Sequence, residues 1–299
     1  MAVYEVPPGY RIALMATMPR SGTWYSFYFF EFLDLFMTSR ENLNTRLDLY
    51  VYNGLKLGKL HTHCICPGFR KACKGPARFD WDQLVFYTPG YDYGSGRFID
   101  GNQKIFSPLQ NPEIRIVYVY RNPLDQIVSY YRHIQKHRQE TTRSFTTETG
   151  EELIFTDLSH FLRTAGVDGY IKQYWTYHFM KALVPDRLLL VPYEDLVDFP
   201  APTFVSMLRF LDLGLDRAVL EVPFKKALNA TKAGSLKNLE KAIGSSLGRD
   251  QTDVEESHLR GGEIGKWSSA LDADDLQFVE TRLNAYGLDL GQFHTKSKR

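Results

Sequence analysis

Residues 18–25, Met18-Pro19-Arg20-Ser21-Gly22-Thr23-Trp24-Tyr25, join two segments of opposite character, and their reading decides the fold. Before them, Arg11 to Met18 (RIALMATM) is a short apolar run that suits a buried strand. After them, Trp24 to Met37 (WYSFYFFEFLDLFM) crowds apolar and aromatic residues at helical length, with Glu31 and Asp34 spaced i, i+3 on one polar face. The junction holds a proline, a cation, two hydroxyls and a glycine. A strand that passes through such a loop into a helix N-terminus presents backbone N–H groups and the positive end of the helix dipole. This is a cradle for phosphate or sulfate.

The same alternation continues along the chain. Ile114 to Tyr120 (IRIVYVY) is the strongest strand signal, β-branched and aromatic throughout, and it ends in Arg121-Asn122-Pro123. A helix is expected from Leu124 to Gln139, and further helical patterns at 157–165 and 170–183. Arg187 to Pro192 (RLLLVP) reads as another strand, followed by helices at 201–213, 216–228 and 273–286, the last capped by Asp272 and Gly287. Leu55 to His63 alternates weakly and is a further strand candidate, whereas residues 38–58 show no clear periodicity. The expectation is one α/β domain over 1–299, a three-layer, P-loop-like fold with a central parallel sheet covered by helices on both faces. Ligands are then expected at the C-terminal ends of the strands. Two stretches interrupt this order: a Gly-, Pro- and aromatic-rich insertion at about 64–104, and a polar, Thr-rich stretch at about 140–156 that reads as an exposed loop or a lid.

Composition narrows the function classes. With 36 Lys plus Arg against 35 Asp plus Glu, the net charge is +1, so no global field recruits nucleic acid or an anionic membrane. The 43% apolar and 14% aromatic content suffices for a large core. No apolar stretch has the pattern of a signal peptide or a membrane span, and three cysteines make no disulfide framework, so a cytoplasmic protein is expected. Cys64, Cys66 and Cys73 with His61 and His63 are residue types that bind zinc, but Cys-x-Cys lacks the usual two-residue gap, and no metal is expected. His133 and His137, i, i+4 on one helix, read as a basic, solvated helix end.

Three motifs fall at presumed strand ends. In the first loop Arg20 supplies forked donors, Ser21 and Thr23 hydroxyls, and Gly22 close backbone approach; the pattern is not G-x-x-x-x-G-K-[ST]. In the second, Arg121 leaves the best strand and Ser129 follows two helical turns on, with Asp125 an i, i+4 partner for Arg121. The third, Arg260-Gly261-Gly262-Glu263-Ile264-Gly265-Lys266-Trp267, sets a cation among three glycines. Taken in order, the three resemble the sulfotransferases that use 3′-phosphoadenosine 5′-phosphosulfate (PAPS). Their motifs are P-K-S-G-T-[TS]-W, R-N-P-x-D-x-x-x-S and R-K-G-x-x-G-x-W.

The resemblance implies a role for each matching residue. Arg20 stands for the family lysine at the transferring sulfuryl group, while Ser21, Gly22 and Thr23, with Trp24 in the same loop, hold the 5′-phosphate. Tyr25 takes the place of a tryptophan stacked on adenine. Arg121, Ser129, Arg260 and the Gly261-Gly262 backbone hold the 3′-phosphate, and Tyr193 and Phe224 resemble adenine contacts. The family base follows a strand as K-T-H; here Lys59-Leu60-His61-Thr62-His63 offers His61 and His63, with His63 favoured because it lies nearer the strand end. Histidine suits removal of a proton from an acceptor hydroxyl near neutral pH. The implied reaction is in-line transfer of a sulfuryl group from PAPS to a hydroxyl or similar nucleophile, releasing 3′,5′-bisphosphoadenosine (PAP). The acceptor is a small molecule, a glycan or a lipid, and neither it nor the oligomeric state is legible. An ATP-dependent P-loop-like kinase and a catalytically silent nucleotide-binding protein are the alternatives, the first weakened by the missing Walker lysine.

Overall fold

In a computed structural model, the residues described are 11–18, 20–38, 49–52, 55–61, 78–80, 85–92, 97–106, 114–140, 145–146, 152–153, 155–211, 217–232, 235–236, 238 and 264–293. Strand β1 (Arg11–Thr17) leads into helix α1 (Thr23–Thr38), as the junction of apolar run and aromatic stretch requires. Strands β2 (Leu49–Tyr52) and β3 (Leu55–His61) pair antiparallel, Tyr52 opposite Leu55. Residues 49–52 are a strand where the sequence suggests no regular element.

The insertion before Arg121 differs from the expected loops: its described residues form a three-stranded antiparallel sheet of β4 (Arg78–Asp80), β5 (Val85–Asp92) and β6 (Arg97–Phe106). The β5–β6 register shifts between Thr88 and Gly90, flanking Pro89, which has no N–H to give to a ladder.

Strand β7 (Ile114–Tyr120) feeds helix α2 (Pro123–Glu140). The polar stretch at 140–156 holds a short antiparallel pair, β8 (Phe145–Thr146) and β9 (Glu152–Leu153). Helix α3 (Leu158–Phe161) then runs through a π-helical turn (Leu162–Gly166) into α4 (Val167–Leu183), so two expected helices are one continuous helical stretch. Strand β10 (Leu188–Pro192) passes directly into α5 (Tyr193–Asp198), followed by α6 (Pro200–Leu211) and α7 (Arg217–Ala230). A 3₁₀ turn (Lys266–Ser269) precedes α8 (Ala273–Asn284), which Asp272 caps by accepting the Asp275 N–H, and Gly287 follows with φ 72°.

The main sheet has the order β10-β7-β1-β3-β2, with β10, β7, β1 and β3 parallel and β2 an antiparallel edge. Strand β7 shows why its sequence is apolar without alternation. Ile116 and Tyr118 face a cluster built by α2, α3, α4 and α8, while Val117 and Val119 face a second cluster built by α1, α5, α6 and α7. All four are fully buried. At about 25 cal/mol per Å² of apolar area, such two-sided burial is what fixes the strand in the sheet centre. Among the described residues, no helix is long and apolar enough to cross a membrane.

Candidate active site

Strand β1 lies between β7 and β3, so chain connections leave it in opposite directions and a crevice opens at its C-terminal end. The loop of residues 18–22 sits there. Its start is pinned to the neighbouring strand, since the Met18 N–H donates to the Val119 carbonyl at 2.8 Å. The turn then closes tightly, with the Ser21 N–H on the Met18 carbonyl at 3.1 Å and the Ser26 N–H on the Gly22 carbonyl at 3.0 Å. Two residues of the loop take left-handed conformations, Arg20 at φ 66° and Gly22 at φ 76°. For arginine that costs about 1–2 kcal/mol, strain of the kind that concentrates at ligand-binding loops.

Gly22 is required for a second reason. A Cβ added there would lie 2.5 Å from Tyr193 Cε2 and 2.6 Å from Cδ2. Tyr193 opens α5 at the end of β10, is 6% exposed, and presents its ring to the Arg121 guanidinium, whose carbon stands 4.7 Å from the ring centroid. Burial pushes the Tyr193 phenol above its ordinary pKa, and the charge of Arg121 opposes that shift without cancelling it.

Arg121 leaves the end of β7 almost fully buried, and its Nη1 donates to the Arg20 carbonyl at 3.2 Å. The Arg20 side chain turns the same way, its Nε reaching Ser129 Oγ on α2 at 3.3 Å. Residues 20, 121 and 129, separated by about a hundred positions in sequence, therefore meet in one place. The surroundings fix them. The Asn122 N–H donates to Glu194 Oε1 at 2.9 Å, Asn122 Oδ1 caps the Leu124 N–H at 2.9 Å, and Tyr170 donates its hydroxyl to the Arg121 carbonyl at 2.7 Å. Burial raises the Glu194 carboxyl pKa, with the Asn122 N–H and Arg121 acting in the opposite sense.

Ser21 is fully buried, and its hydroxyl has no hydrogen-bond partner among the described residues. Such an atom is rare unless something else satisfies it. An anion held against the N-terminus of α1, a helix of 16 residues, fits both that hydroxyl and the helix dipole. Tyr25, half-buried, packs on Phe204 at 5.7 Å, and Phe224 meets Phe29 edge-on at 5.4 Å. Phe29 and Phe204 stack at 3.7 Å, so Tyr25 and Phe224 rim one aromatic cluster beside the loop.

Of the remaining sequence-derived residues, Thr23 and Trp24 open α1, but their side chains lie outside the description. His61 is the last residue of β3, in register with Thr17 at the end of β1, which places it at the mouth of the same crevice. His63, Arg260, Gly261 and Gly262 lie outside the described residues, as do Cys64, Cys66 and Cys73. Gly265, the third glycine of the third motif, donates its N–H to Asp125 Oδ2 at 2.7 Å, so the backbone at Gly265 docks on the helix that carries Ser129. Among the described residues no group of three or more His, Cys, Asp or Glu could hold a metal ion. Sequence reasoning had no signal for the Asn122–Glu194 and Tyr170–Arg121 contacts, because they span 72 and 49 residues.

Comparison with known proteins bears on this geometry. The sulfotransferase domain family matches residues 97–285, a stretch that contains the second and third motifs and leaves the opening loop outside. Cytosolic sulfotransferase 16 of Arabidopsis thaliana is 23% identical over 166 residues, 54% of this chain and 47% of that protein. Sulfotransferase 4A1 of Mus musculus is 31% identical over 115 residues, 38% of this chain and 37% of that protein. The matched stretches thus span less than half the length of these relatives. Among solved structures, mouse sulfotransferase SULT7A1 complexed with PAP superposes with a TM-score of 0.54 at 14% identity, over 92% of this chain and 83% of that one. Retinol dehydratase in a complex with retinol and PAP gives a TM-score of 0.53 at 15% identity, over 95% and 83%. These likenesses show a shared α/β fold.

Proposed function

The chain belongs to the sulfotransferase domain family, and from that premise we propose that it transfers the sulfuryl group of PAPS to a hydroxyl or similar nucleophile. The observation that carries the proposal is the meeting of Arg20, Ser21 and Gly22 with Arg121 and Ser129 at the C-terminal ends of β1 and β7. A single anion loop would serve many nucleotides. Two basic sites in contact suit a nucleotide with phosphate at both ends of its ribose.

PAPS supplies, when bound, an activated sulfuryl group whose transfer leaves PAP. The residues of the chain bind, orient and neutralise. Ser21, Gly22, Thr23 and Trp24 take the 5′-phosphate end at the α1 N-terminus, where fixed N–H dipoles stabilise the charge that grows as the bond breaks. Arg20 adds a permanent cation and, with a pKa far above neutrality, acts by charge alone and not as a proton donor. Arg121, Ser129, Arg260 and the Gly261-Gly262 backbone hold the 3′-phosphate. Tyr25 and Phe224 wall the adenine; Tyr193, nearly buried, supports Arg121 and the loop while offering little face to the base. The acceptor loses its proton to a histidine, His63 in first place and His61, the last residue of β3, in second, since in-line transfer through a loose transition state asks mainly for positioning and one base. A hydroxyl-bearing small molecule is the proposed acceptor class; the retinol dehydratase structures, solved with retinol or androsterone, are consistent with such a pocket on this fold.

Two measurements test the reading. Calorimetry with PAP against ATP should give tight PAP binding, and tight ATP binding with no response to PAP would refute the cofactor. PAP formation from PAPS with a pool of acceptors should fall by about two orders of magnitude or more in His63→Ala, or failing that in His61→Ala. If neither substitution slows an active enzyme, the base lies elsewhere.

A further inference from the structure

Strand β7 leaves the sheet at Tyr120, whose partner in β10 is Pro192, a residue with no N–H to give. The next peptide unit, which joins Arg121 to Asn122, is nonetheless bonded at both ends. Its carbonyl accepts the Tyr170 hydroxyl at 2.7 Å from α4, and its N–H donates to Glu194 Oε1 at 2.9 Å from α5. Tyr170 and Glu194 are 2% and 3% exposed. The need to satisfy two buried backbone groups would explain a polar side chain at each place. It does not explain why both fall on this unit, which is the joint between β7 and α2. Arg121 stands on one side of it, and on the other Asn122 caps the helix that carries Ser129.

We propose that Glu194 and Tyr170 are positioning residues that clamp the Arg121-Asn122 peptide and so fix Arg121 and Ser129 relative to each other. The inference rests on the PAPS reading above, in which these two residues hold the 3′-phosphate. Ser129 follows Asn122 by about 10 Å along α2, so a tilt of about 10° at the joint carries it by about 2 Å, where a binding constellation needs placement to within about 0.5 Å. Consecutive residues of α5 secure the arginine twice: the Tyr193 ring faces the guanidinium at 4.7 Å, while Glu194 holds the backbone N–H that follows it. Asn122 adds a longer tie, its Nδ2 reaching the Phe293 carbonyl at 3.4 Å. Charge alone predicts the opposite sign. Glu194 feels Arg121 and Asp125, so if it acted through its carboxylate charge, removing that charge would free the arginine and tighten anion binding.

The test is calorimetry on the full chain with PAP and with adenosine 5′-monophosphate, which lacks the 3′-phosphate. The wild type should bind PAP far more tightly than the monophosphate. Glu194→Gln keeps an acceptor oxygen without the charge and should hold PAP affinity within about threefold. Glu194→Ala, which leaves the N–H without its acceptor, should lose about tenfold or more for PAP and less than about threefold for the monophosphate. Tyr170→Phe deletes one hydroxyl from the ring and should lower PAP affinity about three- to tenfold, again sparing the monophosphate. Tighter PAP binding in Glu194→Ala, a Glu194→Gln protein as weak as Glu194→Ala, equal losses for both ligands or an unchanged ratio in Tyr170→Phe would each overturn the assignment. Should Glu194→Ala fail to fold, Tyr170→Phe and Glu194→Gln decide by the same ratios. A wild type that does not prefer PAP to the monophosphate would instead remove the PAPS reading and this inference with it.

Discussion

Replacing Gly22 by alanine adds one methyl group at the point where the opening loop meets α5, and its cost can be worked from the structure. At φ 76° an L-residue pays about 1–2 kcal/mol for the left-handed conformation. The new Cβ would lie 2.5 Å from Tyr193 Cε2, a contact that real structures do not tolerate, so the ring must retreat by nearly an ångström. That ring is no flexible side-chain end: it is 6% exposed and lies against the Arg121 guanidinium. Overpacking of this kind costs about 1–3 kcal/mol, against which the reduced freedom of the unfolded chain returns only about 0.4–1 kcal/mol. The net loss is roughly 2–4 kcal/mol, or a fall in unfolding temperature on the order of 5–10 °C. PAP affinity should fall too, since Arg121 moves with the ring. Urea unfolding of the wild type, Gly22→Ala, Tyr193→Leu and the double variant makes a cycle that separates the two costs. Removing the ring relieves the clash and leaves the strain, so the double variant should be more stable than the sum of the single losses by about 1–3 kcal/mol. Strict additivity, or a Gly22→Ala protein as stable as the wild type, would show that Tyr193 does not close on this loop.

Ser21→Ala should separate stability from binding in the opposite direction. The buried Ser21 hydroxyl has no partner among the described residues, and an unsatisfied hydroxyl costs about 1–3 kcal/mol, so the variant should unfold at the same or a higher temperature while PAP titration shows weaker binding. Lower stability with unchanged affinity would mean that the hydroxyl serves the fold. His178 gives a pH prediction. Burial holds its pKa below the ordinary value, against the Tyr174 carbonyl contact that raises it, and the ring stacks on Tyr174 at 3.7 Å. The unfolded chain therefore takes the proton first, so stability is full above about pH 6.5 and declines as pH falls from there towards the lower folded value. Thermal melts between pH 7.5 and 5.5 should show this decline, and His178→Phe should flatten the part of it that belongs to this ring.

Whether an element was legible depended on how locally its constraint is written. Strand β7 is buried on both faces by two helical layers, so each of Ile116, Val117, Tyr118 and Val119 must be apolar, and the run announces itself. The β2–β3 hairpin is marked only by Asn53-Gly54 between its strands, a turn signal flanked by weak alternation. The second sheet was hidden by its own punctuation: Pro89 and Gly90 inside β5 and Gly101 inside β6 read as loop until the bulge between Thr88 and Gly90 accounts for the first two. Between α3 and α4, the helical patterns at 157–165 and 170–183 stop short of one another, and a π-helical turn at Leu162–Gly166 joins them without a break. The site followed the same rule. Its motifs are local and could be read, whereas the contact of Tyr193 with Gly22 joins residues 171 positions apart and leaves no periodic trace.

Arg121 shows what those long-range contacts accomplish. A guanidinium taken almost wholly out of water costs several kcal/mol unless other groups replace the lost solvent. Here the Tyr193 face lies 4.7 Å from it, the Arg20 carbonyl accepts at 3.2 Å, and Asp125 stands at 4.0 Å. The last distance decides between two designs. A carboxylate placed to neutralise the arginine would close to about 2.7–2.9 Å, as charge-assisted pairs do. Asp125 gives that distance to the Gly265 amide instead, at 2.7 Å. Of these three contacts two are with neutral groups, and the carboxylate is held back by its bond to Gly265. The arginine is thus held in place by the fold itself, so an anion bound there, as proposed, would meet a lower ordering cost, and Asp125 does not close on its charge.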